Sequence, residues 1–96
     1  MPPAARLNDI CTGHADWPPR PNIEGSPNVF VNGRKWHRQG DGWAVHCNPI
    51  PECHSSVLAS GSSSVYVNSR QAGRIGDPVA CGSTVATGSE NVFAGG

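Results

Sequence analysis

Leucine is nearly missing from this chain. Two Leu and one Met in 96 residues, with Gly or Pro every few positions, exclude long amphipathic helices. Charge is scarce as well. Seven Lys/Arg balance seven Asp/Glu, so there is no basic stripe of the kind a general nucleic-acid binder needs. Apolar runs are short: Val29-Phe30-Val31 is typical, against the roughly 20 residues a membrane span requires or the about 7–15 of an export signal. Leu, Ile, Val and Phe number only 17, a share that borders on disorder, but the net charge that would keep a chain open is zero.

What the chain has is twelve Gly, nine Pro, four Cys and four His. These describe one small, turn-rich, all-β domain whose core is too thin to hold it alone. A crosslink is expected. Structural zinc contributes about 10–16 kcal/mol in small peptides. A disulfide contributes about 2–4 kcal/mol.

The chain repeats. Ser26 through Asp41 superposes on Ser62 through Asp77 with a shift of 36, and eight of the 16 aligned residues are identical. A third copy begins at Gly88-Ser89-Glu90-Asn91-Val92-Phe93 and runs out at Gly96, opposite Gly33. Its second half lies at the other terminus, where Pro3 through Asp9 aligns with Lys35 through Asp41. The expected object is closed and pseudo-threefold, with its third repeat split across chain ends that meet in space. Each repeat reads as strand, turn, strand: Val-Phe-Val and Val-Tyr-Val favour pleated backbone, and Asn32-Gly33 suits a two-residue hairpin turn. Segments 15–25 and 48–61 hold most of the remaining Pro, Ser and Gly and are expected as loops.

The aligned Asp residues lead to the chemistry. His14 follows Asp9 by five residues, His46 follows Asp41 by five, and Cys81 follows Asp77 by four. Pseudo-symmetry brings these side chains together near the axis. His54, on the loop after His46, offers a fourth donor, for which Cys53, Cys47 and Cys11 are the alternatives. Imidazoles with a thiolate suit tetrahedral zinc, and iron or nickel less well. His37, beside Arg34-Lys35, is expected to be solvated, and Trp17, Trp36 and Trp43 to cover loops. With no export signal in view the thiols are expected to stay reduced, Cys47 and Cys53 being the first choice should a pair form. Asp41, His46 and Ser55 compose a hydrolytic triad on paper, but no nucleophile elbow supports it, and an enzyme is not expected.

Taken together, Pro3-Ala4-Ala5-Arg6 followed by Asp9 and His14, the Gly-Ser-x-x-Val-Phe/Tyr-x-Asn repeats, Gly40-Asp41, Gly76-Asp77 and Cys81-Gly82 resemble the PAAR-repeat family. The likeness covers essentially the whole chain. Only Arg is kept in the second and third copies, Lys35-Trp36-His37-Arg38 and Gln71-Ala72-Gly73-Arg74. The resemblance implies a small conical domain with a metal at its apex, held by three His and one Cys, which map onto His14, His46, His54 and Cys81. It implies a structural tip that caps a trimeric β-helical spike, one chain per trimer, in a type VI secretion system or a contractile phage tail. Such a tip is made in the bacterial cytoplasm and delivered at the spike point into a target membrane. A single domain over residues 1–96 with no extension is expected, which in this family implies a bare tip without cargo.

A trimeric β-helix ends in open strand edges that a pseudo-threefold cap can cover. The candidate contact residues are Val29, Phe30 and Val31, Val65, Tyr66 and Val67, and Val92 and Phe93, of which one strand parity can face a partner. A rival reading is a free-standing small zinc protein in thiol/redox or metal handling, suggested by the surplus cysteines.

Overall fold

The structure is a computed structural model describing residues 1–96. It has no helix and three antiparallel hairpins. Strand β1 (Phe30–Val31) pairs with β2 (Arg34–Lys35), β3 (Gly42–Cys47) with β4 (Cys53–Val57), and β5 (Tyr66–Val67) with β6 (Arg70–Gln71). The first and last are the two copies related by the 36-residue shift. Their tips are Asn32-Gly33 and Asn68-Ser69, all four residues at positive φ, as a type I′ turn requires. The third copy of this repeat is assembled from the two ends of the chain: Pro3 pairs with Phe93, and Ala94 N–H donates to the Pro2 carbonyl at 3.0 Å.

Most of the holding is done outside the strands, which contain only 7 of the 42 backbone hydrogen bonds. Of the rest, some close local turns and others run between repeats, around the axis. His37 N–H donates to Ala5 C=O at 3.0 Å, Ala5 N–H to Gly73 C=O at 2.9 Å, and Gly73 N–H to His37 C=O at 2.8 Å, closing a ring of three equivalent peptides. A second ring joins Leu7, Gln39 and Ile75 N–H to the carbonyls of Lys35, Gln71 and Pro3. Outside these rings sit Ser26, Ser62 and Ser89, all buried, whose hydroxyls accept from the N–H groups of Val29, Val65 and Val92.

The ring explains His37. Of its three side chains, Ala5 and Gly73 occupy almost nothing, and a Cβ on Gly73 would sit 2.7 Å from His37 C=O. The axis therefore has room for one large side chain. His37 fills it, fully buried, instead of pointing to solvent as its basic neighbours suggested. Its Nδ1–H donates to Glu24 C=O at 2.7 Å, its ring meets Trp43 edge-on, and burial lowers its pKa, so the ring is neutral.

Each repeat then makes the same turn. The Arg6, Arg38 and Arg74 guanidiniums grip Asp9, Asp41 and Asp77 with Nε and Nη2, and the Arg backbone N–H donates to the same carboxylate at 2.7–2.9 Å. Positive φ at Asn8, Gly40 and Gly76 completes the turn. Burial alone would raise the Asp9 and Asp41 pKa values, but the hydrogen bonds from Arg6 and Arg38 outweigh it and hold both low. Two residues beyond each Asp, Cys11, Trp43 and Val79 point inward and form the small core with Ala5, Leu58 and Val85. Trp43 is thus core rather than loop cover.

Corrections fall in the second repeat. Within segment 48–61, expected as loop, Cys53–Val57 is strand β4, because β3 offers it an antiparallel partner. Cys47 and Cys53, expected as thiols, face each other in that ladder and form a disulfide. At the hairpin end of the molecule, the parity of the strands is visible. Phe30, Tyr66 and Phe93 are 55, 57 and 45% exposed, Val31 and Val67 are buried, and Val29, Val65 and Val92 are half-buried. The molecule measures 39 × 23 × 22 Å.

Asp41 also accepts from Arg70 at 3.0 Å, whereas Asp77 has only Arg74, since Pro2 occupies the aligned position. Asp41→Ala strands Arg38 and is expected to cost about 3–5 kcal/mol at pH 7. Asp77→Ala should cost less. Because the folded pKa of Asp41 is lowered, its contribution is complete above the unfolded value of about 3.9 and fades as pH falls through the folded value. Urea unfolding of wild type and Asp41→Ala at pH 7 and at low pH checks this: the gap between them should narrow in acid.

Candidate metal centre

Beyond the core the three segments deliver their polar side chains. Asp9, Cys11 and His14 follow one another on the first, Asp41, Trp43 and His46 on the second, Asp77, Val79 and Cys81 on the third. The lengths of the return paths differ. From the donor back to the equivalent inward positions Asn22, Leu58 and Val85, the chain takes its longest route after His46, through the β3–β4 hairpin, and its shortest after Cys81. The long hairpin supplies a second donor, since β4 places His54 directly opposite His46. The short return turns within 79–83, where Val79 N–H donates to Ser83 C=O at 2.8 Å.

His14, His46, His54 and Cys81 come together here, each offering a ligand atom within 4.8 Å of all the others. The four residues named from the sequence are the four that converge. Of the alternatives for the fourth place, Cys11 is buried in the core, and Cys47 and Cys53 are bonded to each other. His54 Nε2 lies 3.0 Å from His14 Nε2 and 2.7 Å from His46 Nε2.

Those distances test whether a cation belongs here. His46 Nδ1–H donates to the Pro18 carbonyl at 2.8 Å, which fixes the tautomer and leaves the Nε2 lone pair aimed inward. His54 Nε2 carries at most one proton and cannot donate to both neighbouring rings. Proton sharing leaves the cluster one bond short. A positive ion receiving all the lone pairs does not. The His54 pKa is lowered, first by desolvation and then by the neighbouring His46 and His14, so the neutral, ligating form is favoured. Three imidazole nitrogens and a thiol fit a tetrahedral site for a borderline-soft divalent metal, where such an ion ties separate chain segments together.

The supports of this cluster carry little signal in the sequence. Trp17 stacks on His14 with ring centroids 5.1 Å apart, packs at 5.0 Å on His54, and donates from Nε1 to Glu52 C=O at 2.8 Å. It clips the first segment to the β3–β4 hairpin through two of the four converging side chains. Its spacing from His14 was the available signal: His14 and Trp17 exchange backbone hydrogen bonds across a tight turn. The paper triad is not assembled, because His46 Nδ1 faces Pro18 and both Asp41 oxygens are taken by Arg38 and Arg70.

A family model described as PAAR motif matches residues 12–87. The chain belongs to the PAAR-motif family. Three curated proteins share the domain. The NAD(P)(+) glycohydrolase toxin Tse6 and the (p)ppApp synthetase toxin Tas1, both of Pseudomonas aeruginosa, are each 39% identical over 79 residues, which are 77% of this chain and 18% of theirs. The double-stranded DNA deaminase toxin A of Burkholderia cenocepacia is 36% identical over 74 residues, 74% of this chain and 5% of its own. The chain therefore spans less than a fifth of the length of these curated relatives, and what it shares with them is the PAAR domain.

His37→Ala and His46→Ala are both expected to destabilise the PAAR domain, the first by opening a hole beside Trp43. Only His46→Ala should lower metal content, measured by elemental analysis alongside thermal unfolding. Chelation should lower the melting temperature of wild type, since metal at 100 times its Kd stabilises by about 2.7 kcal/mol.

Proposed function

We propose that this PAAR domain is a zinc-stapled structural tip seated on a trimeric β-helical spike protein, one chain per trimer, in a type VI secretion system or a contractile phage tail. The observation that carries this reading is the hairpin end. Phe30, Tyr66 and Phe93 occupy equivalent positions in three repeats and are the outward parity of their strands. Three apolar groups at pseudo-threefold positions match the three strand edges of a trimeric β-helix, and Val29, Val65 and Val92 border them. Val31 and Val67 face into the domain and support the contact from behind.

At the donor end the zinc, held by His14, His46, His54 and Cys81, supplies no reaction; it ties three chain segments together where there are too few apolar residues for a core. Rigidity at that end suits a tip that is pushed through a target membrane and delivered outside the cell that made it. No helix is long and apolar enough to cross a membrane. No specific observation favours the thiol/redox alternative as a catalytic activity: of the surplus cysteines Cys11 is buried in the core and the other two are joined.

Purified protein is expected to contain one zinc per chain. Asp substitution at Phe30, Tyr66 or Phe93 should abolish co-purification with the trimeric spike while leaving zinc content and melting temperature near wild type. Retained co-purification of all three variants would reject the docking face.

A further inference from the structure

The disulfide lies in an informative place. In the β3–β4 ladder His46 pairs with His54, and the next rung is Cys47 with Cys53. Successive residues of a strand point to opposite faces, so the two imidazoles lie on one face and the two sulfurs on the other. The crosslink therefore takes no donor from the metal. It fixes the spacing of the two strands one residue from the metal-facing pair.

His54 needs that help. His14 is carried by a hydrogen-bonded tight turn, His46 is anchored by the Pro18 carbonyl, and Cys81 sits on the short turn that closes at Ser83. Apart from the packing of Trp17, the His54 side chain is held only by its contacts with the other two imidazoles. Its strand alternates exposed and half-buried residues, and the ladder is irregular between Trp43 and His46. Beyond the disulfide, the hairpin is closed by Asn48, whose N–H donates to Glu52 C=O at 3.0 Å. The sulfur of Cys53 belongs to an exposed residue and that of Cys47 to a half-buried one, so a small thiol can reach the bond at Cys53.

We infer that Cys47–Cys53 is a thiol–disulfide exchange site coupled to the metal centre: formed, it holds His54 against His46 and tightens metal binding; opened, it releases the fourth donor. This rests on the reading of the centre as a zinc site. The exchange is balanced by a low-molecular-weight disulfide as oxidant. The Cys53 thiolate attacks one of its sulfurs and expels a first thiol. The Cys47 thiolate then attacks the mixed disulfide and expels a second, so that one S–S bond is lost, one is formed, and the two protons leave with the released thiols. An excess of small thiol runs the same steps backward. Coupling is reciprocal, so bound zinc must protect the disulfide from reduction by the factor with which the disulfide tightens zinc. A domain made among reducing thiols and moved outside them would thus have its metal locked in after it leaves.

The test is zinc titrated against a chromophoric chelator, with the 96-residue protein oxidised by glutathione disulfide, the same protein reduced by a phosphine, and Cys47→Ser/Cys53→Ser in both buffers. The oxidised wild type is expected to bind zinc about tenfold more tightly than the reduced. The double variant should match the reduced protein under both conditions, which removes any effect of the reductant on zinc itself. A tenfold coupling also shifts the disulfide potential by about 30 mV between zinc-loaded and zinc-free protein, read in glutathione redox buffers. This second measurement needs no variant and stands if the double variant does not fold. Equal affinity in the two redox states with one zinc per chain, or tighter binding on reduction, overturns the coupling and leaves the zinc site intact. Absence of zinc binding in every sample overturns the zinc site and the coupling with it.

Discussion

Three peptide groups hydrogen-bonded in a closed ring, at Ala5, His37 and Gly73, are the constraint from which the other layers follow. A ring of this size brings three backbones so close to one axis that two of the three side chains must be minimal. It also sets the three Arg–Asp turns at equivalent heights, so that the residues two positions later face inward together and the residues after those converge. Conventional strand ladders contribute little. The chain instead satisfies its backbone by passing hydrogen bonds from one repeat to the next, which suits a sequence with so few large apolar residues.

Charged side chains take the place of bulk in the middle layers. Each Asp is surrounded by donors from its own repeat, and the arginines reach into the neighbouring one: Arg6 Nη1 donates to Asn32 Oδ1 at 3.2 Å, and Arg38 Nη1 to Asn68 Oδ1 at 3.0 Å. At the third place, where an Asn would stand, Arg74 Nη1 donates at 3.1 Å to the Gly95 carbonyl. A main-chain oxygen thus does the work of a side-chain oxygen, and the pseudo-symmetry survives the cut between the termini. The end where His14, His46, His54 and Cys81 meet has no such layer above it, and these four side chains can offer a cation what the ring and the arginines offer elsewhere.

Much of this was legible in the sequence because the repeat is a register, and a register predicts neighbours. Asp9, Asp41 and Asp77 align, so His14, His46 and Cys81 had to end near one another once the repeats closed. What was not legible depends on contacts across repeats. His37 looked solvated beside Arg34 and Lys35, and only the small residues aligned with it, Ala5 and Gly73, hint that one large ring fills the axis. Strand β4 is polar and short of β-formers, and its pairing comes from β3 rather than from its own composition. The disulfide could be ranked first among possible pairs from its spacing, but its formation follows from the ladder. Trp17 read as a cover for a loop, and its place between two imidazoles required the fold.

The split third repeat has one more consequence. Pro3 lies against Phe93, and Met1 reaches Gly95, so the first and last residues are neighbours on the hairpin side of the molecule. The order of the three repeats along the chain is therefore arbitrary with respect to the finished shape. The ends can be spliced by a short linker and the polypeptide reopened at the exposed tip between Asn68 and Ser69, giving a circular permutant that keeps every ring, clasp and donor while moving the break to a different side of the triangle.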